Sequence, residues 1–281
     1  LYNEYINKFH KTLLTEDCAM NAGYYKYMYV SPSIKFFKEM TKKKYNLMDY
    51  EPAKHLNEPT LFYGLYNMND LKLLIAHKGK KKLLFGGSDA RYNTFTQNYR
   101  LLIRHNIEIV CQSAHLYKKL NKIRYPKYLS TLRPFTPAQI FDFYEPNNVK
   151  GNNVYIYTSK KNPEVYGNDI YIPVMEKLKG KFNFIVCEAG TTNDIKSVYK
   201  KCFIGVRLTR FDGLGCTNIE LGLLGIKSIT NNLSPNCLSW KTVDDVVNHI
   251  IRESATMGKK NPQLAEKTLE FISNEYDMLK V

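Results

Sequence analysis

The chain has 281 residues, 44% of them hydrophobic and 24% charged, which suits one large domain or two of about 100–150 residues with a real core. Its formal net charge of +15 implies attraction to something anionic: a nucleotide, nucleic acid or an acidic membrane surface. The pattern excludes a helical membrane protein, since no run approaches about 20 apolar residues. It also excludes a zinc module, since Cys18, Cys111, Cys187, Cys202, Cys216 and Cys237 form no C-x-x-C pair and no zinc-type spacing with histidines.

Taken in order, Leu1, Tyr5, Ile6, Phe9, Leu13 and Leu14 recur at helical spacing over residues 1–20. Tyr24 to Val30 reads as a strand closed by Ser31-Pro32-Ser33, and Ile34 to Met40 as a short helix. Residues 41–59 are polar and read as loop. The lysine runs 42–44 and 80–82 have the look of solvated faces. Thr60 to Gly64 is a strand. Asn69-Asp70 can cap a helix through His77, which Gly79 ends. Lys82 to Phe85 is a strand running into Gly86-Gly87-Ser88-Asp89. A helix over 95–104, a strand from Ile107 to Cys111 and a helix from Ser113 to Leu120 follow. Repeated β-α-β with short strands implies a parallel sheet. The loops Gly64-Leu65-Tyr66 and Gly86 to Asp89 then share the carboxyl edge of that sheet, where ligands collect. Asp89 is placed to accept from a hydroxyl, and Ser88 with the Gly87 amide to contact a phosphate or sugar. A tight turn with Asp89 as a cap is the equal alternative. His77, His105 and His115 read as surface or satisfied side chains.

Residues 121–150 are irregular and Pro-bearing, and 144–153 make a good linker. The expected domains are therefore 1–150 and 151–262, with a final helix over 263–281. Val154 to Thr158 opens the second αβ unit and feeds Ser159-Lys160-Lys161. A helix over 170–178 despite Pro173, a strand over 182–187 and a helix over 194–200 capped by Thr191 or Thr192 lead to the central stretch, residues 203–231. Here Phe203 to Leu208 is a strand, Phe211 to Gly215 a loop, Thr217 to Leu224 a helix stopped by Gly225, and Lys227 to Thr230 a strand. Val243 to Arg252 and Gln263 to Leu279 are amphipathic helices.

That stretch has a physical use. Glycines let backbone approach a ligand, and the helix amino terminus favours an anion. The amides of Gly213, Leu214, Gly215, Cys216 and Thr217 are thus candidates for a diphosphate, with Arg207 and Arg210 adding charge at the strand's carboxyl end. Asp212 and Glu220, eight positions apart, suit hydroxyls of a sugar or ribose beside it. Against this, Thr217-x-x-Glu220 is also a capping box, and local pattern alone favours the cap.

Asp212, then GLGCTNI, then Glu220, then LGLLGIKSITN resembles the donor segment of retaining GT-B glycosyltransferases of the family 4-like group. There, two acids with seven residues between them frame a glycine loop and helix start. The first acid is usually Glu and is Asp here, and Ile226 replaces a usual proline. The resemblance covers mainly residues 151–255. It implies two Rossmann-like domains facing a cleft, a nucleotide-sugar donor (uridine- or guanosine-linked) in the second domain, and sugar transfer with retention to a hydroxyl on a glycan or other acceptor. It implies donor diphosphate contacts from Lys160 and Lys161, and places Asp212, Glu220 and Asp89 nearest the chemistry. Acceptor contacts fall to Gly64, Tyr66, Gly87, Ser88 and Asp89. No cofactor or metal is expected, and in that group the last helix often crosses back to the first domain.

The charge keeps a second class open, a basic nucleic-acid-binding protein or a DNA-directed glycosyltransferase. No helix-turn-helix, zinc finger or RNP motif supports it, and no stable nucleic-acid partner is expected. Contact with an anionic membrane surface is a further expectation from charge. Scattered thiols in apolar runs and the lack of a signal-peptide pattern suit a reducing, cytoplasmic setting. The Lys-, Asn- and Tyr-rich style suits a large DNA virus or a low-GC microbe. A start at Leu1 rather than Met suggests a piece of a longer protein.

Overall fold

The structure is a computed structural model that describes residues 25–87, 89, 100–102, 104–105, 107–111, 129–130, 138–188, 194–210 and 215–273. Helices expected over 1–20 and 113–120, the caps Thr191 and Thr192, and residues 274–279 lie outside that set. By its contacts the chain divides into two compact units, each built on one parallel sheet.

The first unit holds strands β1 (Tyr27–Val30), β2 (Met48–Asp49), β3 (Thr60–Tyr63), β4 (Lys81–Phe85), β5 (Glu108–Cys111) and β6 (Leu129–Ser130), in the order β2-β1-β3-β4-β5-β6. The order turns back between β1 and β3, so the connections leave that point in opposite directions. β3 is buried along its whole length, as a central parallel strand covered on both faces must be.

Residues 41–59 are not simply loop. Helix α1 (Lys38–Tyr45) runs on past Met40, and β2 and a single turn, α2 (Pro52–His55), follow. Lys42 there bridges to Glu39 at 3.4 Å and Asp49 at 3.1 Å, and that pairing offsets the weak apolar character of the segment. Lys82 also departs from the solvated reading. It is fully buried, at 3.1 Å from Glu108 and over the Tyr25 ring at 5.4 Å. A lysine can be buried this way only when its ammonium is paired. His77 is buried rather than on the surface, with Nδ1 at 3.1 Å from the Tyr50 hydroxyl. Burial and the neighbouring Lys81 charge push its ring below the usual histidine range. Helix α3 (Met68–Ala76) starts one residue before the expected cap pair, with Asn67 as its cap in a capping box completed by Asp70.

The second unit holds β7 (Asn153–Thr158), β8 (Asn183–Glu188), β9 (Cys202–Val206), β10 (Lys227–Ile229) and β11 (Cys237–Leu238), in the order β8-β7-β9-β10-β11. Helices α4 (Asn168–Lys177), α5 (Ile195–Lys200), α6 (Cys216–Leu223), α7 (Val243–Glu253) and α8 (Pro262–Ser273) cover it. The period of two along β7 divides the layers. Val154 and Ile156 join a core with Tyr171 and Val174 of α4 and Val246 and Ile250 of α7. Tyr155 joins the other, with Tyr199 of α5 and Leu221 of α6. β9 is buried throughout and is the unit's central strand.

Two differences from the sequence reading concern the segment before the linker and the start of α5. Residues 138–143 form a 3-10 segment, and its Ile140 packs with Ile219 and Leu223 of α6 and Ile272 of α8. The described part of the last helix therefore lies on α6. The α5 cap is Asp194, which accepts from the Ser197 amide at 3.1 Å.

Close packing of α6 on β9 depends on Gly205. A Cβ there would stand 2.3 Å from Leu221 Cδ1. Gly205→Ala is expected to lower stability by about 1–3 kcal/mol, the usual cost of overpacking a filled core, as read from urea unfolding midpoints. Unchanged midpoints would mean that α6 yields freely.

Candidate functional site

In the second unit the sheet order reverses between β7 and β9. A crevice outside the carboxyl ends of two such strands is where open α/β sheets take ligands. The residues that reach that edge are Tyr157 to Lys160 from β7, Glu188 from β8, Arg207 to Arg210 after β9, and the first turn of α6.

Arg207 is the centre of the group. Its backbone amide still bonds the sheet, donating to Ile229 at 3.0 Å, so the side chain leaves from a fixed point. The guanidinium lies 4.1 Å from the centre of the Tyr157 ring, and Nη1 donates to Thr217 Oγ1 at 3.4 Å. Tyr157 is in turn held edge-on by Tyr166, with ring centres 5.2 Å apart. A guanidinium stacked in this way has lost little water and keeps its planar fork ordered.

Helix α6 begins at Gly215, whose φ of 65° is a left-handed conformation that suits glycine. No side chain caps it, so the capping box favoured by local pattern is not formed. Thr217 is the second residue of the helix and Glu220 the fifth, two positions past the third, where a capping box needs its acid. The Glu220 carboxylate instead accepts from the Tyr199 hydroxyl at 2.8 Å. Burial raises its carboxyl above the usual carboxylate range, while the Tyr199 hydroxyl and the Arg207 charge pull it back. Burial and the adjacent Glu220 push the Tyr199 hydroxyl well above the usual tyrosine range, so it remains a donor.

The other sequence candidates are placed as follows. Lys160 is 86% exposed at its side chain, pairs with Glu188 at 3.3 Å, and donates its backbone amide to the same carboxylate at 2.8 Å. Lys161 is exposed beside it. Arg210 is ion-paired with Asp169 in the first turn of α4. Cys216 is half-buried and in no disulfide. Asp212, Gly213 and Leu214 lie outside the described residues, as does Ser88.

In the first unit, Asp89 is fully buried and binds two loops together. It accepts from the amides of Leu65 at 3.2 Å, Gly86 at 3.1 Å and Gly87 at 2.8 Å. Its carboxylate is engaged by backbone rather than turned outward. Gly64 has a φ of 90° and carries the Tyr66 ring against it, 2.8 Å from where a Cβ would stand. Asp70, which the sequence reading used only as a cap, also accepts from Tyr29 at 2.6 Å and Ser31 at 2.8 Å, tying α3 to the end of β1. Among the described residues no three His, Cys, Asp or Glu side chains gather as metal ligands, and no helix is long and apolar enough to cross a membrane.

Sequence reasoning missed Tyr157, Tyr199 and Glu188. Strand alternation does carry a signal for Tyr157, since a residue at the carboxyl end of β7 on the α5–α6 face must meet whatever leaves β9. Nothing in the sequence pairs Tyr199 with Glu220, which are 21 positions apart.

No family model matches the chain, and no curated protein sequence matches it. Solved structures do. A glycosyltransferase from Rickettsia africae ESF-5 superposes with a TM-score of 0.60 at 11% identity, covering 91% of this chain and 95% of that one. Anabaena Alr3699/HepE in complex with UDP and glucose gives 0.53 at 10% identity, covering 84% and 86%. TarM gives 0.56 at 11% identity over 76% of this chain, which spans only 52% of the TarM length. The fold is thus that of the GT-B glycosyltransferases, two Rossmann-like parallel-sheet units.

Proposed function

We propose that the chain is a nucleotide-sugar-dependent glycosyltransferase of the retaining, family 4-like kind, with its donor at the carboxyl edge of the second sheet. The observation that carries this is one patch at the β7/β9 reversal holding an ordered guanidinium, an uncapped helix amino terminus and the half-buried Glu220. Arg207 and the first amides of α6 would face the diphosphate and stabilise its charge as it leaves. Lys160, Lys161 and Arg210 add charge at the rim. Glu220 would accept from the ribose hydroxyls, and Asp212 from the sugar. Likeness in fold to structures holding UDP supports a nucleotide at this edge. The acceptor hydroxyl is assigned to the carboxyl edge of the first sheet, near Gly64, Tyr66 and Gly87, where Asp89 shapes the loops.

The test is thermal unfolding with a panel of nucleoside diphosphates and nucleotide sugars. A ligand that binds only the native state at 100 times its Kd adds about 2.7 kcal/mol of apparent stability. A clear upward shift with a uridine or guanosine diphosphate, absent with the free base, is the expected result. No shift with any nucleotide, together with salt-sensitive retention on DNA, would overturn the reading in favour of a polyanion binder.

A further inference from the structure

The Tyr199 hydroxyl joins the core beneath α5 to the side chains of α6, with the buried Tyr155 side chain as one of its hydrogen-bond partners. Tyr199 is 1% exposed on α5, and its ring is locked edge-on to Tyr155 at 4.9 Å and tilted on Phe143 at 6.0 Å. Phenylalanine would fill nearly the same volume and lack only the hydrogen bonds of that hydroxyl. The hydroxyl donates to Glu220 Oε2 at 2.8 Å and hydrogen-bonds the Thr217 and Tyr155 side chains. Thr217 in turn receives Arg207. Glu220, half-buried on α6, is therefore held at Oε2 by one neutral donor, and a carboxylate has further acceptor sites beyond that one. A long side chain with three rotatable torsions would otherwise sample several rotamers there, at a cost repaid only when ligand binds.

We infer that Tyr199 is a positioning residue of the donor site: its hydroxyl fixes the Glu220 carboxylate in the orientation that accepts the ribose hydroxyls of a nucleoside diphosphate. The inference rests on the proposed donor site. It implies a contribution that appears only with ligands carrying those hydroxyls, because Tyr199 acts through Glu220 and touches no ligand itself.

The experiment is calorimetric titration of the full chain with UDP and GDP and with their 2′,3′-dideoxy counterparts. The wild type should favour the ribo form of whichever nucleotide binds. Tyr199→Phe should weaken the ribo form about tenfold, the scale of one hydrogen bond to a charged group, and leave the dideoxy form nearly unchanged. Adding Tyr199→Phe to Glu220→Ala should cost nothing further, since the second substitution has already removed what the first orients. Equal weakening of both ligand forms, wild-type affinity in Tyr199→Phe, or a full additive loss in the double variant would each overturn the positioning role while leaving the donor site standing. Should Tyr199→Phe fail to fold, Glu220→Asp tests the same contact by withdrawing the carboxylate one methylene from the hydroxyl. Retention of the full ribo preference there would also overturn it. Failure of the wild type to bind either nucleotide overturns the proposed function, and this inference with it.

Discussion

Replacing Arg207 by alanine is expected to lower affinity for the nucleoside diphosphate about a hundredfold, or about 2.7 kcal/mol at 1.36 kcal/mol per factor of ten. Three losses combine. The diphosphate loses a cation that is already ordered against the Tyr157 ring and so gives up little entropy on binding. Thr217 loses a donor at the second position of α6, beside the amides proposed to face the phosphates. Glu220 loses a charge that holds its carboxyl down, so less of it is ionised at neutral pH. Arg207→Lys should recover only part of the affinity, because an ammonium cannot stack or fork as the guanidinium does. Lys160→Ala is the informative contrast. Its ammonium is largely in water and already paired with Glu188, so its removal should change affinity by no more than about threefold. Titration calorimetry of the three variants checks the order. A folded Arg207→Ala variant that binds as the wild type does would move the donor away from the β7/β9 edge.

Apart from the two-residue edge strands β2, β6 and β11, the strands of both sheets were legible in the sequence because buried parallel strands leave runs of β-branched and aromatic residues that little else produces. Cys202 to Val206 and Thr60 to Tyr63 are such runs, and each is buried end to end. Segments whose burial is won by pairing were not legible. Lys82 reads as surface until Glu108 and Tyr25 are brought to it by the fold. Residues 138–143 read as irregular until Ile140 finds Ile219, Leu223 and Ile272. The candidate site divides in the same way. Arg207 and the glycine-led start of α6 were visible because they adjoin one strand end. Glu220 was visible, yet its local pattern pointed to a cap. The residue that settles its environment, Tyr199, comes from another element, and α6 starts with Gly215 at its cap position rather than with a side-chain cap. A pattern four residues long cannot distinguish a carboxylate that turns back on its own helix from one taken by a neighbour.

Glu220→Gln is expected to raise the melting temperature of the unliganded chain at neutral pH while lowering nucleotide affinity about tenfold or more. The two effects have one cause. The folded carboxyl is raised above its unfolded value by burial, so the folded chain holds this proton more tightly than the unfolded chain does. Between the unfolded and folded values stability therefore falls as pH rises, and above the folded value the cost of burying the ionised form is fully present. Glutamine has the same shape, still accepts from Tyr199, and carries no charge, so that cost disappears. Ligand binding runs the other way. A carboxylate accepts from two ribose hydroxyls and a protonated acid gives up acceptor capacity, so wild-type affinity should fall as pH drops through the same value. The signature is a pair of opposite slopes on one titration: on acidification the unliganded wild type gains stability relative to Glu220→Gln while it loses affinity for the nucleotide. Parallel slopes, or a Glu220→Gln variant with lower stability at neutral pH, would show that the Tyr199 contact is a structural bond in the core. Selection for stability alone would then account for Glu220, and the ribose would have to be read by another group.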